Sequence, residues 1–199
     1  MSLLRPTPTR RGLRPRPAAL PRRSLLAAAG AVAASTVLAG CAGPQVSDYA
    51  AEKPLLDLRR YFDGRVMAHG VFTDRSGKVV HRFVVTMDCS WQGDAGTLDE
   101  TFVYSDGKRD KRIWRLVRHE DGRYTGTAAD VVGTAEGQVA GNAFRWRYTL
   151  ALPVDGRVIN VQFDDWMFLV DERVMLNRAV MSKFGVRLGE VLLSFTKAP

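Results

Sequence analysis

Cysteine and histidine are scarce in this chain, and their scarcity removes whole classes of chemistry. Only two cysteines (Cys41, Cys89) and three histidines (His69, His81, His119) occur in 199 residues. The histidines lie on separate segments without i, i+4 spacing, and no Cys/His cluster has zinc-ligand spacing, so neither a metal site nor a cofactor is expected. A Gly-x-Ser-x-Gly elbow, a phosphate-binding glycine loop and a dinucleotide fingerprint are all missing. Nucleophilic catalysis therefore has no identifiable nucleophile, and no catalytic residue is assigned. The uncharged apolar run Ser24–Leu38 falls short of the roughly 20 residues that a membrane-spanning helix needs.

That run is instead placed as an export signal would be. It follows an arginine-bearing segment and ends in Leu38-Ala39-Gly40-Cys41, which resembles a bacterial lipoprotein signal peptide. The resemblance implies a diacylglyceryl group on the Cys41 sulfur, cleavage before Cys41 and acylation of the new amino terminus. Several acyl chains on one cysteine anchor stably, at about 0.8 kcal/mol per buried methylene. The alternative is a soluble exported protein in which Cys41 is incidental. Arg22-Arg23 followed by Ser24-Leu25-Leu26 also resembles a twin-arginine signal, with an ordinary basic n-region as the other reading. Ala42 is not the aspartate that commonly retains lipoproteins in the inner membrane, so the resemblance implies the outer membrane, facing the periplasm. The expected organisation is a signal over 1–40, a lipidated tether over 41–50 and one domain over 51–199.

Charge changes character with that cleavage. The formal charge is +8, from 29 basic and 21 acidic residues, and seven arginines with no acid precede Cys41, so the mature part keeps 22 basic against 21 acidic residues. Nucleic-acid binding, which needs a basic stripe to neutralise phosphates, loses its support. With Cys41 lipidated, Cys89 has no partner for a disulfide, and the core must hold the fold alone. Cys89 alternates in phase with His81, Phe83, Val85, Met87 and Trp91, which predicts a buried, inert thiol.

From about Asp63 the chain is punctuated as a meander. Turn clusters recur near Ser76-Gly77, Gly93-Asp94, Asp106-Gly107, Asp121-Gly122, Gly141-Asn142, Asp155-Gly156 and Asp171-Glu172. The Asp-Gly pairs supply the positive φ that tight hairpins demand. The segments between them are rich in Val, Thr, Phe, Tyr and Trp, as strands should be. Phe144, Trp146, Tyr148, Leu150 and Leu152 alternate with Arg145, Arg147, Thr149 and Ala151, a strand with one apolar face. Between Arg157 and Val170 the row Ile159, Val161, Phe163, Met167, Leu169 is opposed by a second apolar row, Trp166, Phe168 and Val170. That strand is expected to be covered on both faces near its end, by a short helix opened by Pro54 and carrying Leu55, Leu58 and Phe62. Eight to ten antiparallel strands without long helical connections predict an all-β fold. Closing the meander removes its edges, giving a lipocalin-like barrel; a two-sheet β-sandwich is the alternative.

Several strings carry a further resemblance: Phe62-Asp63-Gly64, Asp99 to Gly107, Gly126 to Gly133, Asp164-Asp165-Trp166-Met167-Phe168 and Asn177-Arg178-Ala179. Over Tyr61–Phe195 the chain resembles a family of short proteobacterial lipoproteins catalogued only as a domain of unknown function. The resemblance implies an envelope lipoprotein with a barrel related to the lipocalins, and no assigned activity.

Chemistry is expected where polar residues interrupt apolar rows. Glu100 is in phase with Leu98, Phe102 and Tyr104, and Asp165 with Phe163 and Met167. An unpaired ionised carboxylate in a core costs several kcal/mol. Each acid is therefore matched by an arginine such as Arg145, Arg147 or Arg178, or else its face lines a polar cavity; the buried pair is the first expectation. Of the tryptophans Trp91, Trp114, Trp146 and Trp166, most belong to a core, but a lumen lined by two would suit an acyl chain or other apolar ligand. The candidate ligand-binding residues are thus Glu100, Tyr104, Trp114, Arg145, Trp146, Asp165 and Trp166, with Cys41 as lipid anchor. The function expected is binding or carriage of a small, partly apolar or amphipathic ligand. A non-enzymatic role in envelope assembly is the alternative if the interior is filled, and a hydrolase or isomerase using the two carboxylates is a third reading.

Overall fold

The computed structural model describes residues 43–198, so the signal segment and Cys41 lie outside the described part. Ten antiparallel strands follow one another as a meander: β1 (Gly64–Asp74), β2 (Val79–Gln92), β3 (Ala95–Tyr104), β4 (Arg109–Arg118), β5 (Arg123–Thr127), β6 (Val131–Ala140), β7 (Ala143–Val154), β8 (Arg157–Leu169), β9 (Val174–Lys183) and β10 (Val186–Lys197). Each strand pairs with its sequence neighbour, and β1 pairs with β10 to close the barrel. Closure leaves no unpaired edge, which settles the choice between barrel and sandwich. The β1–β2 hairpin sets His69 opposite Val84, several positions from His81, as the turn at 75–78 requires.

Alternation decides which residues point inward. On β7 the row Phe144, Trp146, Tyr148, Leu150 faces the interior, and on β8 the row Val161, Phe163, Asp165, Met167, Leu169 does so. Cys89 is buried in the same core, and burial pushes its thiol up to about 12, which keeps it protonated and inert.

One end of the barrel is closed by a single helical turn, α1 (Leu58–Tyr61), whose first backbone amides are capped by the Asp57 carboxylate. Helix formation begins at Leu58 rather than Pro54; the Lys53–Pro54 bond is cis and Leu55 is exposed. Leu58, Tyr61 and Phe62 are buried under the barrel. The Trp91 indole N–H donates to the Phe62 carbonyl at 2.7 Å, and the Tyr61 hydroxyl donates to the Arg173 carbonyl at 2.9 Å. These bonds pin the floor to β2 and to the β8–β9 turn.

Of the outer apolar row expected on β8, Trp166 and Phe168 are covered, but not by that helix, and Val170 is exposed. Residues 46–49, expected to belong to a flexible tether, form a 3-10 turn (Val46–Tyr49), and the Tyr49 ring stands edge-on to Trp166 and Phe168 at 5.7 and 5.1 Å. Gly141, at φ +56°, allows this approach, since a Cβ there would lie 1.8 Å from the Tyr49 carbonyl oxygen. The folded part therefore begins before residue 51, because an exposed Trp–Phe pair on β8 demands a cover and the preceding segment is near enough to supply it.

Candidate functional site

The barrel is not filled. Above the floor lies a cavity of about 950 Å³, lined from Leu58 and Phe62 at its base to Asp106 and Lys108 at its mouth. The mouth is formed by the hairpins at the opposite end from α1. Aromatic residues dominate the walls. Trp114 meets Trp146 and Tyr148 edge-on at 5.7 and 5.3 Å, and Tyr148 stacks on Phe163 at 5.1 Å.

A polar layer interrupts this lining at mid-depth. β3 contributes Glu100, β4 Arg112, β7 Tyr148, β8 Asp165 and β9 Asn177, and the turn before β6 adds Asp130. Register explains the grouping: Glu100 is opposite Arg112, and Asp165 is opposite both Trp146 and Ala179. Arg112 is committed to Asp130, its Nε and Nη2 both donating to Oδ2 at 2.9 and 2.7 Å. Asp165 receives only the Tyr148 hydroxyl, at a long 3.5 Å. Its other oxygen, and the side-chain oxygen of Asn177, have no hydrogen-bond partner among the described residues. Glu100 is 9% exposed and accepts no hydrogen bond from the described residues.

Desolvation governs the protonation of this layer. Burial pushes Asp165 up from an ordinary 3.8 to about 8, with Arg112 opposing and Asp164 and Glu100 reinforcing the rise. Burial likewise raises Glu100 to about 7, moderated by Arg112. The Tyr148 hydroxyl is pushed well above its usual range by the same desolvation and by Asp165. Arg112 stays charged, because the acids around it outweigh the cost of its burial.

Of the residues picked out in the sequence, Glu100, Tyr104, Trp114, Trp146 and Asp165 meet in one lumen. Arg145 and Trp166 do not. The Arg145 guanidinium donates to Asp164 at 2.7 and 2.6 Å and lies 4.8 Å above the Trp166 ring, on the outer wall. Arg147 also reaches toward Asp164, and Arg178 pairs with Glu190. None of the three arginines expected to match the buried acids does so, because each has the opposite strand parity. Arg112, Asp130, Tyr148 and Asn177 were not among the candidates. Arg112 carries a usable signal, for it alternates in phase with the apolar Trp114 and Leu116. Asn177 carries a weaker one, in phase with Met175, Ala179 and Met181 but opposed by the apolar Leu176 and Val180, and Asp130, which lies in a turn, has none.

Comparison with known proteins now adds a family. Residues 35–197 match the model described as "Protein of unknown function (DUF3833)". The chain belongs to this family. No curated protein matches it in sequence. Among solved structures, the DUF3833 fold is similar to the S-type phycobiliprotein lyase CPES from Guillardia theta. The TM-score is 0.55 at 8% sequence identity, over 78% of this chain and 99% of that chain. At such low identity the likeness concerns the fold alone, a lipocalin-like barrel.

Proposed function

We propose that this protein binds or carries a small, partly apolar ligand in the barrel lumen, while a lipidated Cys41 holds it at the outer membrane, facing the periplasm. The observation that carries the binding reading is the lumen itself. A cavity of about 950 Å³ lies within the range of small-molecule sites, roughly 300–1,000 Å³. Its walls are mainly apolar and a few polar groups converge within it, which is how such sites combine affinity with orientation. A barrel serving only as an assembly surface would gain stability by filling this space with side chains.

Native mass spectrometry of the protein purified from its own host tests the reading. A co-purifying small mass, lost on denaturation, is the expected result. Repeated absence of such a mass, together with failure of an apolar fluorescent dye to enter the lumen, would overturn it.

A further inference from the structure

The polar layer has an imbalance that indicates what it receives. Its cation, the Arg112 guanidinium, is already ion-paired with Asp130 through Nε and Nη2. Among the described residues, one Asp165 oxygen and the Asn177 oxygen are buried without a partner, and no protein hydrogen bond reaches the Glu100 carboxyl. All three side chains are at least nine-tenths buried, with exposures of 7, 3 and 9%, and all line the cavity. Asn177 is oriented with its amide nitrogen toward the Trp166 carbonyl at 3.4 Å, which leaves its buried oxygen without a donor. Buried acceptors without a donor are costly, so the layer favours a ligand that brings N–H donors.

Resting on the carrier reading, we infer that the lumen recognises an amphipathic amine, whose protonated nitrogen sits among Asp165, Glu100 and Asn177. Its apolar body lies against Phe83, Phe102 and Phe163, nearer the mouth. An anionic head group fits poorly, since the Arg112 charge is already paired with Asp130 and the same site presents two further carboxyl groups. The charged and titratable groups facing Asp165 are Arg112 from β4, Glu100 from β3, Tyr148 from β7 and Asp130 from the turn before β6, with Asp164 beside it on β8; β9 adds only the neutral Asn177. One guanidinium thus stands against three inward carboxyl groups. Without a bound cation, desolvation raises Asp165 to about 8 and Glu100 to about 7, so at pH 7 Asp165 is mostly and Glu100 partly protonated. An arriving ammonium reverses that balance, because an opposite charge favours the ionised acid. The carboxylic proton leaves to solvent as the ion pair forms, so binding is coupled to proton release.

The test titrates the purified full chain with decylamine, decanoate and decanol at pH 7. The readouts are quenching of the lumen tryptophans and calorimetry in two buffers of different ionisation enthalpy, which counts protons released. Decylamine is expected to bind at least tenfold more tightly than decanoate, with net proton release. Asp165→Asn and Glu100→Gln should each lower amine affinity at least tenfold while decanol binding is retained, which also shows that the variants are folded. Equal or tighter binding of decanoate, amine binding without proton release, or an amine preference that survives both substitutions would overturn the inference. If decanol binds without any preference for the amine, only the inference about the nitrogen fails. If none of the three probes binds, the carrier reading fails with it.

Discussion

At the residue scale, the buried acids tie stability to pH in a direction opposite to that of paired surface carboxylates. In the unfolded chain Asp165 and Glu100 ionise near 3.8 and 4.5, whereas in the folded chain burial holds them to about 8 and 7. Between about pH 4 and 8 the folded state therefore binds more protons than the unfolded one, and stability falls as pH rises through that window, levelling off above it. Each pKa unit is worth about 1.4 kcal/mol, so two such acids outweigh ordinary surface effects. The lowered acids Asp74, Asp121, Asp164 and Asp171 act with the opposite sign, but below their ordinary 3.8 and so outside this window. Ligand-free protein should melt at a lower temperature at pH 8 than at pH 5. Asp165→Asn should shrink that difference and raise the melting temperature at pH 8. Had Asp165 been half of a buried ion pair, the same substitution would cost roughly 3–5 kcal/mol by stranding a guanidinium. Thermal melts of the two proteins at the two pH values separate these outcomes.

At the scale of elements, the outer wall of β8 and the lumen are held by different contacts and should respond independently. Tyr49 makes two edge-on ring contacts, and Trp166 is half-buried between it and the Arg145 guanidinium. Aromatic pairs contribute about 0.5–1.5 kcal/mol each beyond burial. Tyr49→Ala should thus destabilise the barrel by about 1–3 kcal/mol in urea unfolding while leaving lumen binding of an apolar dye unchanged. A loss of dye binding would show instead that the 3-10 turn shapes the cavity. The strands themselves were legible because a period of two is a local property: the parity of Glu100, Trp114, Trp146 and Asp165 follows from their neighbours alone. The same parity places Arg145 and Trp166 outward, and applying it consistently excludes them from the lumen. What covers Trp166, and whether the interior is open or packed, were not legible. Both depend on contacts between segments far apart in sequence and on how strongly ten strands curve, and no single stretch of residues encodes either.

At the scale of the whole molecule, the two ends of the barrel have different surroundings. The described chain enters at the floor end, where Tyr49 packs on β8 near its last residues and the Leu56 amide donates to the Gly141 carbonyl at 2.8 Å. The mouth hairpins, including the β9–β10 turn with Phe184 90% exposed, lie at the other end. Strands of 10–13 residues, such as β3 and β8, tilted by about 40°, give a barrel roughly 30 Å tall. If Cys41 carries the lipid, ligand exchange takes place away from the bilayer where the mouth points from it, and directly with the bilayer where the mouth meets it. Two outcomes follow. Cys41→Ser should move the protein from the membrane to the soluble fraction, and retention of that variant in high salt would remove the lipid anchor from the account. In the anchored protein, an environment-sensitive dye on Phe184→Cys should report water, with an emission unchanged when the Cys41→Ser form is measured. A shift to lipid-like emission confined to the anchored form would place the mouth against the membrane, and ligand would then pass directly between bilayer and lumen.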